Sequence, residues 1–110
     1  NSKYLIIVSS LKDLLCFKLL GIGNIECIAP DSENSMIPIN LMQSYKDKYK
    51  KIVVLFDNDE AGIKSAKKYN CTHNFDYINL ELSKDLSDSV KDFGIDKVKE
   101  EVFKLLKRVI

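Results

Sequence analysis

Two spacings of apolar residues alternate along this chain, and together they define its elements. Residues 4–8 and 52–56 are unbroken apolar runs rich in β-branched side chains, as expected of strands covered on both faces. Residues 25–29 predict a second short strand. Residues 75–80 predict a fourth, where Asp76 and Asn79 point to a less buried edge position. Between them lie helical patterns. Residues 11–20 are almost wholly apolar and are closed by Gly21 at the carboxyl-cap position, which predicts a buried helix. After a polar, turn-rich stretch over 30–35, Pro38 suits the first turn of a helix over 39–47. Residues 60–69 predict a third helix, with Lys64, Lys67 and Lys68 outward and the small Ala61 and Ala66 inward, allowing close approach to the sheet. A short helix over 84–93 ends at Gly94. Val98, Val102, Leu105, Leu106 and Val109 then mark an amphipathic closing helix.

Strands alternating with helices at this spacing imply parallel pairing through right-handed crossovers. The two most apolar strands, the first and third, belong side by side in the middle, giving the order 2-1-3-4. The expected fold is therefore a doubly wound α/β sheet of about four parallel strands with helices on both faces. One domain over 1–110 accounts for the length, with a core over 4–94 and a closing helix over 95–110. A chain that opens directly into its core has the look of a domain excised from a larger protein.

Charge narrows the possibilities. Seventeen basic and sixteen acidic residues leave a formal charge of +1, so strong non-specific binding of nucleic acid is not expected of this piece alone. The lysine-rich stretch over 46–51 falls at the amino end of the third strand and reads as a solubilising surface. Three widely spaced cysteines, Cys16, Cys27 and Cys71, fit neither a disulfide framework nor a zinc site; Cys16 and Cys27 read as core thiols. His73, in a polar turn, reads as solvated. No apolar stretch approaches the length of a membrane span, and the expected location is cytoplasmic.

The chemistry concentrates after the third strand, in Asp57-Asn58-Asp59-Glu60-Ala61-Gly62. Open parallel sheets place ligands at the carboxyl ends of their strands. Two carboxylates about 6 Å apart repel by roughly 3 kcal/mol at an effective dielectric near 20, and a divalent cation is the simplest group to offset that. Capping of the next helix is the competing reading. It explains one acid well and three poorly. Ser10-x-x-Asp13 likewise has capping-box form, which makes Asp13 a structural residue. Asp85 and Asp88 open the fourth helix, where acids also suit the macrodipole; beside Asp57 and Asp59 they become candidate metal ligands.

These residues resemble the Toprim domain of topoisomerases, bacterial-type primases and some nucleases. That family has a Glu-Gly after the first strand with an Asp beyond it, an Asp-x-Asp after the third strand, and a further acidic cluster downstream. The Asp57 to Gly62 run is similar to the form found in primases and phage primase-helicases, Asp13 stands in register with the first motif, and Lys84-Asp85 with Asp88 resembles the downstream element. Ser9 stands where the family carries its Glu. A serine hydroxyl brings neither a useful pKa nor a negative charge.

The resemblance implies a metal-binding domain of a primase-like replication protein. Asp57 and Asp59 would be the catalytic carboxylates, and Asp57, Asp59, Asp85 and Asp88 would hold Mg2+ or Mn2+ for nucleotidyl transfer in RNA primer synthesis. It also implies a DNA template and nucleotides as partners, engaged through a parent protein with flanking zinc-binding or helicase domains. Two alternatives stay open: a degenerate, non-catalytic Toprim binding module, favoured by Ser9, and a Toprim-type nuclease. Glu33, or failing it Asp31, is the candidate to replace the missing carboxylate, and Lys84 a candidate phosphate contact.

Overall fold

The computed structural model describes residues 4–23, 25–29, 39–83 and 85–109. Asp31, Glu33 and Lys84 lie outside them. The order of elements is β1 (Tyr4–Val8), α1 (Leu11–Leu20), β2 (Ile25–Ile28), α2 (Ile39–Lys48), β3 (Lys51–Leu55), α3 (Glu60–His73), β4 (Asp76–Ile78), α4 (Leu86–Phe93) and α5 (Ile95–Val109). All strand pairs are parallel, and the sheet runs β2-β1-β3-β4 as the apolar pattern requires. Tyr4 pairs with Lys51 and Val8 with Leu55, so β1 and β3 end level with each other.

The unbroken apolar runs follow from coverage of both sheet faces. On one face Ile6, Val8, Val53, Leu55 and Ile78 pack with Phe17 and Leu20 of α1, Leu86 of α4, and Val98, Val102 and Leu106 of α5. On the other, Leu5, Ile7, Ile52, Val54 and Phe56 meet Met42 of α2 and Ala66 and Tyr69 of α3. Leu105 and Val109 are half-buried at the margin of the first cluster. The ion pair of Lys51 with Asp76, 2.7 Å long, ties the edge strand β4 to β3.

Two expectations need correction. The apolar helix α1 is not buried throughout: Asp13, Phe17 and Leu20 are buried, and Leu14 and Cys16 pack half-buried beside them. Leu11, Leu15 and Leu19, spaced four apart on another face, are 67%, 55% and 63% exposed. In α3 Ala61 is exposed, and Gly62 takes the inward position assigned to it. A Cβ on Gly62 would stand 2.1 Å from the backbone oxygen of Asp57. The glycine therefore sets how closely α3 approaches the end of β3.

Candidate metal centre

Three chain reversals at the carboxyl edge of the sheet build the site. After β1, Ser10 adopts extended backbone and caps α1, its Oγ accepting from the Asp13 amide at 3.3 Å. After β3, Asp59 caps α3, its Oδ1 accepting from the Gly62 amide at 2.7 Å. After β4, Asp85 caps α4, its Oδ1 accepting from the Asp88 amide at 2.7 Å and from the Ser87 hydroxyl at 2.9 Å. Each cap satisfies an amide that the first helical turn leaves without a partner. Each also fixes the direction in which neighbouring side chains point.

The result is a convergence of Asp13, Asp57 and Asp85, which each offer a carboxylate oxygen within 4.8 Å of the other two. Asp13 is 3% exposed and is held from both sides. Its Oδ1 accepts from the Ser87 amide at the start of α4 at 3.1 Å, and its Oδ2 from the Ser9 hydroxyl at 3.0 Å. The Ser9 oxygen also lies 2.6 Å from Asp57 Oδ1. One hydroxyl has one proton, so it can donate to only one of these carboxylates at a time.

Burial is the main force raising the Asp57 carboxyl above its ordinary range. The Ser9 hydroxyl opposes the shift, and the negative charges of Asp13, Asp85 and Asp59 add to it. Three ionised carboxylates at this separation repel by roughly 3 kcal/mol per pair at an effective dielectric near 20. The cluster thus favours a bound proton or a bound cation. Three hard oxygen donors with no sulfur or imidazole among them suit magnesium or manganese, which bind few carboxylates and complete their shells with water or phosphate oxygens.

Of the four residues expected as metal ligands, Asp57 and Asp85 come together. Asp59 has one carboxylate oxygen engaged in its helix cap and acts on Asp57 as a neighbouring negative charge. Asp88, half-buried in the first turn of α4, lies outside the three-carboxylate group. Asp13, assigned a structural role from its capping-box spacing, joins the group instead. Ser10 does cap the helix, while the Asp13 side chain crosses to Ser9 and Ser87. Its register with the first Toprim motif was the signal that placed it.

His73 is not a solvated turn residue. It closes α3 and stacks on Phe75, with centroids 5.2 Å apart and ring planes 20° apart. Cys16 and Cys27, expected in the core, are half-buried at the margin of the first cluster; burial pushes the Cys27 thiol up to about 12, and Cys16 is raised for the same leading reason. Cys71 is exposed.

The Toprim-like family profile matches residues 6–92, which spans the sheet, the three caps and the acidic cluster. The chain belongs to this Toprim-like family. Among solved structures, the Aquifex aeolicus primase (zinc-binding and RNA polymerase domains) is similar at 23% identity and a TM-score of 0.69, over 93% of this chain and 26% of that one. A bacteriophage T7 structure, in which the lagging-strand DNA polymerase interacts with primase domains of two gp4 subunits bound to an RNA/DNA hybrid and dTTP, is similar at 16% identity. Its TM-score is also 0.69, over 94% of this chain and 55% of the matched one. These likenesses are of fold, and the chain spans only part of either protein. A comparison with curated protein sequences found no match. No helix among the described residues is long and apolar enough to cross a membrane.

Proposed function

We propose that the chain is the metal-binding Toprim domain of a primase-like replication protein and takes part in divalent-metal-dependent nucleotidyl transfer during RNA primer synthesis. The observation that carries this reading is the meeting of Asp13, Asp57 and Asp85 from three separate chain reversals at one sheet edge. Asp57 is the central ligand, with Asp85 and Asp13 beside it. Asp59 strengthens the local negative field, and Asp88 adds a further acid on α4. A bound magnesium or manganese ion would supply charge neutralisation at nucleotide phosphates and at the attacking and leaving oxygens. The chain's own part is to hold the carboxylates. Ser9 fixes Asp57, the Ser87 amide fixes Asp13, and the α4 cap fixes Asp85. Template DNA, nucleotides and flanking zinc-binding or helicase domains would belong to the parent protein, acting in the cytoplasm.

Calorimetric titration with Mn2+ tests the centre. Saturable uptake at millimolar concentration or below, lost in Asp57→Asn, is the expected result. Uptake unchanged by Asp57→Asn, or none up to about 10 mM, corresponding to binding weaker than about 3 kcal/mol, overturns it.

A second reading, that of a Toprim module without catalysis, is favoured by Ser9. Its buried hydroxyl occupies the space between Asp13 and Asp57 and provides no acid or base near neutrality. Ser9→Glu separates the two. A large gain in metal affinity or primer synthesis marks a site that has lost a group, and little change marks one rebuilt around serine. Nicking of supercoiled DNA by the wild-type protein would point to the nuclease alternative.

A further inference from the structure

At the amino edge of the sheet, about six residues of strand and so roughly 20 Å from Asp57, the surface carries an open concavity of about 450 Å3. Its walls come from the end of α2, the start of β3 and the turn between α3 and β4. They include Lys46, Lys50, Lys51, His73, Phe75 and Asp76. We propose that this pocket binds a small polyphosphate anion, either free pyrophosphate or the phosphate tail of a nucleoside triphosphate.

Charge is the first argument. Three lysines face one carboxylate, and that carboxylate, on Asp76, is already paired with Lys51 at 2.7 Å. The helix macrodipole accounts for Lys46 in the last turn of α2. It does not account for Lys50 and Lys51, which follow the end of that helix. With Lys51 paired to Asp76, a bound anion would offset the charges of Lys46 and Lys50.

Shape and stacking are the second. The volume lies in the range of small-ligand sites, about 300–1,000 Å3, and the three lysines border one concavity, whereas a polymer backbone calls for an extended track. The aromatic rings serve one another. His73 lies 6.0 Å from Tyr69 and stacks on Phe75, and the Lys46 ammonium sits 5.5 Å from the Phe75 centroid. With those rings engaged, recognition falls on the phosphates and not on a base. His73 also senses the local field, its pKa being lowered first by burial and then by Lys46. A neutral imidazole held in this way keeps an N–H to donate to a phosphate oxygen.

His73 is the sole histidine of the chain, so its ring resonances report on this pocket alone. Pyrophosphate is titrated into the full chain in EDTA, which silences any metal-borne binding at the acidic edge and makes the outcome independent of the proposed nucleotidyl-transfer role. Saturable movement of the His73 resonances is expected. The exposed pair Lys46→Gln with Lys50→Gln should weaken binding roughly tenfold or more, whereas Lys64→Gln with Lys67→Gln, an equal loss of charge on α3, should change it less than about twofold. Amide spectra of both double variants verify the fold. ATP binding more tightly than inorganic tripolyphosphate assigns the ligand to nucleotides, equal binding assigns it to the polyphosphate alone, and adenosine should not bind. No saturable shift up to about 10 mM pyrophosphate, equal weakening by the two lysine pairs, or tighter binding of a single-stranded oligonucleotide without a terminal phosphate overturns the proposal.

Discussion

Replacing Gly62 with alanine tests the argument that α3 is seated against Asp57 by the absence of a side chain. Helix propensity alone predicts a gain of about 0.8–1.0 kcal/mol, since Gly62 lies in the first turn of a regular helix. Contact predicts the reverse. The added Cβ would lie 2.1, 2.8 and 2.9 Å from the backbone O, C and N of Asp57, atoms that cannot rotate away. Restoring an ordinary separation needs a displacement of about 1 Å, and overpacking of this kind costs about 1–3 kcal/mol. The upper part of that range applies when backbone must move, so the expected net loss is about 2 kcal/mol. At about 4 °C per kcal/mol for a domain of this size, the melting temperature should fall by about 8 °C.

The same displacement exceeds the roughly 0.5 Å tolerance of a pre-organised site, so Mn2+ affinity should fall about tenfold. Thermal unfolding by circular dichroism and calorimetry measure the two effects. Gly23→Ala, where nothing lies within 4 Å of the new methyl group, is the control and should be neutral. A Gly62→Ala protein as stable as wild type, or more stable, would refute the packing argument, because propensity would then be the only force at work.

Asp57→Asn should stabilise the metal-free protein at neutral pH. A carboxyl whose folded pKa is raised gives stability that is present below its unfolded value and lost as pH rises through the folded one. The advantage of the amide should therefore vanish below about pH 4, and denaturant titrations in EDTA across pH 3–8 check this; a variant less stable than wild type at pH 7 contradicts it. Asp85→Ser keeps a capping oxygen while removing the charge, so it should leave stability within about 0.5 kcal/mol of wild type yet weaken Mn2+ binding. Asp85→Ala should lose about 1 kcal/mol as well, and equal metal affinity in all three proteins would count against the site. In the native state the exposed thiol of Cys71 should react faster with a disulfide reagent than that of the half-buried Cys27, which burial pushes up to about 12. Cys27 reacting as fast as Cys71 would contradict this order.

The sheet was legible because β1 is apolar throughout and β3 is apolar at every position after Lys51, a pattern expected of strands covered on both sides. Asp57 and Asp85 were legible from their places after strands. Asp13 was less so, because its spacing from Ser10 fits a cap and local sequence does not say where an aspartate in the first helical turn will turn its carboxylate. That depends on α4, which supplies the Ser87 amide from a distant part of the chain. Between Asp57 and Asp59, two residues apart, the Gly62 amide makes the choice by engaging Asp59 in the cap. The burial of α1 was overestimated for a simpler reason. Composition suggested a core helix, whereas Leu11, Leu15 and Leu19 share a face that the sheet does not cover.

The bond from the Ser87 amide to Asp13 spans 74 positions. The entropic cost of closing so long a loop is offset by the strand pairing between its ends and by the docking of α4 against α1. During synthesis, the acid-rich stretch after β3 emerges before the strand and helix that hold its neighbours in place. The convergence of the three carboxylates is thereby tied to the docking of α4, and a copy in which α4 has not yet packed carries the same aspartates without holding Asp13 in place.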